Sequence, residues 1–466
     1  MAVQLAAIPV LARLLDPDAF GLIAMVMVLV SFGGMFVDAG MATATIQRDR
    51  VSRAQVSNLH WLSTALGGVI GLLVAALAPA VAWFYGRDEL LAVTVVLAGT
   101  FLLAGASVQP AALLHRAMQF RVIAVVNLAG IVLGQAASIA VAAATGSYWA
   151  LVMLPVVSGG VRLIGLTGAT RFRPSRPRRG VGTRKMVDFG AKLTGANFIN
   201  FFARNADNTL IGWWWGATPL GFYERAYKLL LFPLQQVNGP MGMIAVPALS
   251  RLRGQPERYR SFFRRGLWFA GSIQIPLAVF GFAAAPEVVG VMLGPDFAES
   301  VPIFRALFPA ALMAATAPAT GWVYSSWGHG GRLLKMVLAN TAVTLIGFAI
   351  SIPHGPTAVA ASFSASICLS RIPSILYCFG PTPLRLRDVW EPLRGTLLAA
   401  AAGAGCAFLV DAAGPESLRL VPRLLTKGAA FGLAFGGVWL SVNGTSTLRR
   451  SIRELRPAKP HDAAAG

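Results

Sequence analysis

Charge is scarce in this sequence. Asp, Glu, Lys and Arg together make up 13% of its 466 residues, against 56% hydrophobic. A soluble chain carries about twice that charge on its surface, so a soluble globular fold is excluded. Acidic residues are scarcer still, 19 against 40 Lys and Arg, which leaves a formal net charge of +21. In a soluble protein that excess would suggest nucleic acid. Here the basic segments have no aromatic residues interleaved for base stacking, and nucleic acid is excluded as a partner. Cysteine is limited to Cys368, Cys378 and Cys406, none at a metal-ligand or CxxC spacing. They read as small buried apolar residues, and no metal site or cofactor is expected. His115, His329 and His354 fall in loops or at helix ends without a ligand partner at useful spacing, and read as solvated. The opening stretch lacks a basic n-region and a small-residue cleavage site, so no secretory leader is expected.

What the chain does have is long apolar runs. They recur at roughly 2–14, 20–46, 57–85, 90–114, 122–145, 148–170, 187–215, 220–248, 266–293, 300–328, 333–352, 356–380, 395–411 and 424–443, mostly the length that crosses a hydrocarbon core. The pattern predicts an all-α polytopic membrane protein of about 14 transmembrane helices. Its first run is too short to cross and reads as a truncated helix.

Charge orients the set. With a cytoplasmic N-terminus, 28 of the 40 basic residues fall on the cytoplasmic side. Only Arg87, Arg419 and Arg423 fall opposite. That asymmetry is a strong positive-inside signal, and a miscounted helix would scramble it. It predicts a multi-pass membrane protein with both termini cytoplasmic and anionic membrane lipids as partners. Aromatic clusters at Trp83–Tyr85, Tyr148–Trp149 and Trp213–Trp215 sit at the expected outer interface. No connection is long enough to fold as a domain, and no clustered acid–base site is visible, so the protein is not expected to be an enzyme.

The chain also repeats. RLLDPDAFG ending at Gly21 is echoed by WGATPLG ending at Gly221, and Asp38-Ala39-Gly40-Met41 by Asn238-Gly239-Pro240-Met241. The offset predicts a six-helix lobe at 1–170, a basic linker at 171–185 and a second six-helix lobe at 186–380. A cytoplasmic loop at 381–394, two extra helices within 395–443 and a basic tail at 444–466 follow. Repeated bundles are the signature of secondary transporters, with the substrate site between repeats.

Charged groups inside a span are costly and tend to face a bundle interior or cavity. The seventh run is unusual in this respect. Asn197, Asn200, Arg204 and Asn208 form one helical stripe, and Asp207 lies three residues from Arg204. The eighth run adds Glu224, Arg225 and Lys228, then Gln235 and Gln236. The first lobe has Arg13 and Asp38, followed by Thr43, Thr45 and Gln47. Arg204, Asp207, Asn200, Asn208, Arg225 and Lys228 are the candidate substrate-binding residues. Their net positive lining suits an anionic phosphate or diphosphate group. Asp38 and Asp207 are candidates for ion coupling. The competing reading makes Arg204–Asp207 and Glu224–Lys228 internal ion pairs that lock packing, and Asp38 a helix-end residue bonded to local backbone.

Several stretches resemble a known family: RLLDPDAFGL (13–22), VDAGM (37–41), ATIQR (44–48), NADNTLIG (205–212), LGFYERAYKL (220–229), PLQQ (233–236), VPALSRL (246–252) and LGPDF (293–297). They are similar to the polysaccharide transporter family, the lipopolysaccharide and exopolysaccharide flippase branch of the multidrug/oligosaccharidyl-lipid/polysaccharide exporter superfamily. The resemblance covers about 11–380. It implies two six-helix lobes around a V-shaped cavity, with two extra helices. It also implies transfer of a polyprenyl-pyrophosphate-linked oligosaccharide between leaflets by alternating access, and association with polysaccharide polymerase or export proteins. Family members carry a longer first helix. The rival readings are a drug or cation exporter of the same superfamily, which would want an acidic, aromatic cavity, and a polymerase or scaffold of the polysaccharide machinery.

Overall fold

The computed structural model describes residues 2–38, 40–47, 51–178, 198–413 and 419–455, without the side chains of 2, 47, 198–204, 232, 235 and 443–455. The helices are α1 (Ala2–Leu14), α2 (Pro17–Val37), α3 (Met41–Gln47), α4 (Arg53–Ala76), α5 (Ala78–Tyr85), α6 (Glu89–Arg116), α7 (Phe120–Thr145), α8 (Trp149–Thr170), α9 (Phe198–Trp215) and α10 (Ala217–Arg251). They continue as α11 (Pro256–Ala283), α12 (Ala285–Met292), α13 (Ser300–Ala306), α14 (Phe308–Ala314), α15 (Ala317–Trp327), α16 (Gly330–Ser351), α17 (Pro356–Phe379), α18 (Arg387–Ala413) and α19 (Leu420–Leu455). Among the described residues there is no strand.

Ten helical stretches are long and apolar enough to cross a membrane, and two bent pairs bring the number to 12. The two runs of the expected 14 that are not counted are the short α1 and α9, which starts next to residues outside the described set. Apolar side chains cover the outside: Leu72 is 73% exposed and Leu433 78%. In water such a surface would aggregate; in hydrocarbon it is the expected one.

Local sequence sets where the helices start and break. Ser52 and Gln55 form a reciprocal cap at the start of α4, each side chain bonded to the other's backbone N–H. The expected run 20–46 is two helices, α2 and α3, parted around Asp38 and Gly40, whose φ of 69° suits glycine. α10 bends by 43° between Leu231 and Gln236, a stretch that contains Pro233. The expected run 300–328 is three short helices, α13, α14 and α15, and prolines open the last two.

The helices group into two compact units. The first comprises Met1–Arg225, Met292–Glu299 and Phe348–Val359. Within it α4 and α6 cross at small residues. A methyl on Gly67 would strike the Phe101 carbonyl and one on Gly105 that of Ser63, whose hydroxyl donates to the Gly105 carbonyl at 2.9 Å. Close approach through small residues is how helices associate where no hydrophobic effect drives them together.

The second unit comprises Ala226–Val291, Ser300–Gly347 and Ala360–Gly466. Its core joins Tyr259, Phe263 and Leu267 of α11, Trp322 and Val323 of α15, Ile375 and Cys378 of α17, and Val389 and Leu393 of α18. Cys378 is buried as expected, whereas Cys368 is exposed on the apolar face of α17. Both ends of α18 are held by ion pairs. At its start the buried Asp388 meets Arg260 of α11 at 3.2 Å. At its end Asp411 meets Lys427 of α19 at 2.7 Å.

Candidate functional site

The site is built at the joint between α9 and α10, inside the first unit. Gly216, with φ of 84°, turns the chain there. The turn brings the last part of α9 against the first part of α10. Asp207 of α9 is 5% exposed. Its Oδ2 accepts from the hydroxyl of Tyr223 on α10 at 2.8 Å, and its Oδ1 accepts from the Asn208 N–H at 2.9 Å. Tyr223 is itself fully buried. A buried carboxylate requires donors and a buried phenol requires a partner, and each meets the other's need.

One residue on, the buried Glu224 accepts from Arg225 Nε at 2.7 Å. The Arg225 guanidinium lies over the Phe20 ring at 4.1 Å, a cation–π contact with α2. Phe20 packs edge-on against Phe297, which also meets Phe222. A polar collar closes this end of the unit. Asp18 accepts both Arg87 terminal nitrogens, at 2.8 and 3.1 Å, and the Thr218 hydroxyl at 3.0 Å. Beside the joint an apolar groove of about 500 Å³ runs past Met25, Leu77, Trp83 and Phe84 to Thr209, two residues beyond Asp207. Trp83 at its rim is 84% exposed.

The predicted residues are distributed as follows. Asp207, Asn208 and Arg225 lie at the joint, Asn208 and Arg225 half-buried. Lys228 belongs to the second unit and is exposed. Asn200 and Arg204 lie on α9, their side chains outside what is described, and Asn197 lies outside the described residues altogether. Asp38 stands apart from the joint. Its Oδ1 accepts from the Ala42 N–H at 2.8 Å, so it caps α3, the local-backbone role weighed for it above. The polar residues that follow it form their own patch: the Thr45 hydroxyl bonds Gln109 at 2.9 Å, and Arg116 donates to the Thr45 carbonyl at 3.1 Å. Tyr223, Gln109 and the Asp18–Arg87 pair are the polar residues that sequence reasoning missed. The signal for Tyr223 was its place inside LGFYERAYKL, one residue before the charges that were chosen.

A buried carboxylate in an apolar span can hold a proton, meet a cation or accept a sugar hydroxyl. An arginine stacked beside it can meet an anion. The family model described as polysaccharide biosynthesis protein matches residues 10–302, well over half of the chain and the whole of this joint. The chain belongs to the polysaccharide biosynthesis protein family. Among its relatives is the lipopolysaccharide biosynthesis protein WzxC of Escherichia coli, 24% identical over 64% of this chain and 61% of that protein. The teichuronic acid biosynthesis protein TuaB of Bacillus subtilis is 25% identical over 59% of this chain and 58% of that protein. The chain thus spans about three fifths of the length of these two family relatives. The succinoglycan biosynthesis transport protein ExoT of Rhizobium meliloti is 22% identical over 98% of this chain and 93% of that protein.

Solved structures agree on the fold of the chain. The lipid II flippase MurJ, in an inward closed conformation, superposes with a TM-score of 0.74 at 10% identity, covering 95% of this chain and 97% of that one. An inward-facing multidrug resistance MATE transporter of the MOP superfamily gives 0.61 at 14% identity, over 81% and 93%. At such identities the likeness concerns fold alone.

Proposed function

We propose that the chain is a flippase: it carries a polyprenyl-diphosphate-linked oligosaccharide across the bacterial inner membrane by alternating access, for surface polysaccharide synthesis. One observation carries the reading. The chain buries a carboxylate–phenol pair, Asp207 and Tyr223, within apolar membrane helices of a polysaccharide biosynthesis protein. A purely structural span has no need of such a pair, and ionisable groups at membrane depth are functional by default.

In this reading the two repeats, 1–170 and 186–380, are the lobes that alternate, joined by the linker at 171–185 and followed by two extra helices. Both termini are cytoplasmic, and no catalytic chemistry is performed. Arg204, Arg225 and Lys228 meet anionic oxygens of the diphosphate. Asn200, Asn208 and Asp207 take sugar hydroxyls or orient the cations, while Asp207 and Asp38 are the acids available for ion coupling. The isoprenoid tail stays in lipid, where its burial costs nothing. Polymerase or export proteins would receive the product.

The test is flipping of a fluorescent polyprenyl-diphosphate oligosaccharide in proteoliposomes under an imposed ion gradient, with empty vesicles as control. Protein-dependent translocation that is lost in Arg204→Ala supports both the activity and the cationic site. A properly inserted wild type that flips nothing would refute the reading. Efflux of cationic dyes by the same vesicles would favour a drug exporter instead.

A further inference from the structure

Beyond α8 the chain runs for seven residues, 172–178, without helix, and its sequence is Phe-Arg-Pro-Ser-Arg-Pro-Arg. A basic, proline-containing stretch of this kind is ordinarily solvated and loose. Here it is pinned along the first turns of α4. Pro174 and Pro177 have no N–H to satisfy. Ser175 donates its N–H to the Ser57 hydroxyl at 3.0 Å, and its carbonyl accepts from the Trp61 indole at 3.0 Å. The Asn58 amide uses both ends on Arg178, accepting from its N–H at 2.9 Å and donating to its carbonyl at 2.6 Å. Arg53 donates to the Arg173 carbonyl at 3.4 Å. Phe172 sits edge-on to His60, ring centroids 5.5 Å apart.

The backbone is thus spent on α4, and the side chains of Arg173, Arg176 and Arg178 are exposed. No Asp or Glu occurs between Glu89 and Asp188 in the sequence, and among the described residues none forms an ion pair with these three arginines. Trp61 beside them is 43% exposed, the amphipathic residue that settles at headgroup depth. A topology signal depends on the number of basic residues near a span and not on their positions. Five hydrogen bonds that fix positions serve no purpose for it. They do serve recognition, because ordering paid before binding is not paid during it.

We propose that segment 172–178 is a docking site for the diphosphate headgroup of a lipid-linked sugar, where the headgroup is held at the membrane surface before transport. The choice of a diphosphate, which rests on the flippase reading above, follows from charge. Two adjacent phosphates offer enough oxygens to engage several guanidinium forks at once, where a phosphodiester lipid engages one.

The test uses the full-length protein in phosphatidylcholine nanodiscs, with binding of a fluorescent short-chain polyprenyl diphosphate as readout and phosphatidylglycerol as competitor. Replacing all three arginines, Arg173→Gln, Arg176→Gln and Arg178→Gln, is expected to weaken binding at least about tenfold. Asn58→Ala, which keeps every charge, is expected to weaken it severalfold, and Trp61→Phe, which removes the Ser175 bond and keeps an aromatic ring, to do so less. Unchanged melting temperatures separate these effects from misfolding. Wild-type binding by Asn58→Ala, or competition by phosphatidylglycerol at equal concentration, would overturn the site and reduce it to general attraction for anionic lipid. Flipping assayed in proteoliposomes made from the same purified proteins keeps the two ideas apart. Normal flipping with wild-type binding in Asn58→Ala removes the dock and leaves the flippase. Diphosphate binding that depends on Asn58, in a wild type that does not flip, keeps the dock and removes the flippase.

Discussion

Gly21 of α2 and Gly221 of α10 meet at a crossing where neither has room for a side chain. A methyl on Gly21 would overlap the Ala217 carbonyl oxygen, and one on Gly221 that of Pro17. Each glycine therefore packs on the residue four positions before the other. The two glycines end the similar stretches RLLDPDAFG and WGATPLG, so the crossing joins matching positions of the two stretches. The Asp18–Thr218 bond of 3.0 Å joins the same two turns at equivalent places.

Gly21→Ala and Gly221→Ala are each expected to destabilise the protein by about 1–3 kcal/mol, the cost of overpacking against backbone that has no side chain to move aside. Gly34→Ala is the control, since a methyl there has nothing within 4 Å. It should be neutral or gain up to about 1 kcal/mol of helix propensity. Thermal unfolding in detergent decides. Equal melting temperatures for Gly21→Ala and Gly34→Ala would mean the crossing is looser than described.

How much of this was legible beforehand differs by level. Helix length and apolarity are properties of contiguous residues, so the all-α membrane fold could be read directly. The charge rule picked Asp207 and Arg225 because a charge in an apolar run stands out wherever it points. Partners could not be read the same way. Asp207 meets Tyr223 across the turn at Gly216, and Thr45 meets Gln109 from another helix. In a membrane protein the lipid-facing and core-facing sides of a helix are both apolar, so periodicity does not show which side faces which neighbour. The breaks were half legible. Gly40 and Pro233 are visible in the sequence, but whether a glycine or proline bends a span depends on what re-satisfies the backbone around it.

Asp207 and Tyr223 allow charge to be separated from hydrogen bonding. Asp207→Asn still offers an oxygen to the Tyr223 hydroxyl but has no charge. It should unfold near the wild-type temperature and yet lose at least about tenfold in lipid-linked oligosaccharide flipping, if the carboxylate carries coupling or substrate contact. Tyr223→Phe removes a bond to a charged acceptor worth about 1.5–3 kcal/mol, and should lower stability first. Wild-type flipping by Asp207→Asn would remove Asp207 from the mechanism and leave it a packing residue.

Arg225 is held by its shape as well as its charge. Its Nε meets Glu224 while its flat guanidinium covers Phe20. Lysine keeps the charge and loses both geometries, so Arg225→Lys is expected to cost about 1–2 kcal/mol. Phe20→Leu should cost less in the Arg225→Lys background than alone, because the contact it removes is already gone. Fully additive melting shifts in that double-mutant cycle would show that the stack contributes nothing.

The strongest electrostatic prediction concerns the far end of the chain. Lys427 is 1% exposed and Glu287 3%; their charged atoms are 2.8 Å apart. Lys427 also meets Asp411 at 2.7 Å, and Arg423 meets both acids, at 3.2 and 2.7 Å. Two acids and two bases thus balance where α12, α18 and α19 meet. Desolvating such charges is expensive, and the arrangement persists only because each has its partner. Lys427→Met alone leaves a buried carboxylate with one partner fewer, and is expected to destabilise the second unit by about 3–5 kcal/mol. Glu287→Gln alone should fall in the same range. The double variant removes one charge of each sign and should recover most of the loss, with a coupling energy of about 1 kcal/mol or more. Raising salt to about 1 M should leave the wild-type contribution of this pair nearly unchanged, since buried charges are weakly screened, while the half-exposed Arg87–Asp18 pair loses strength. A double variant as unstable as the sum of its singles would mean that Lys427 and Glu287 are held by their surroundings and not by each other.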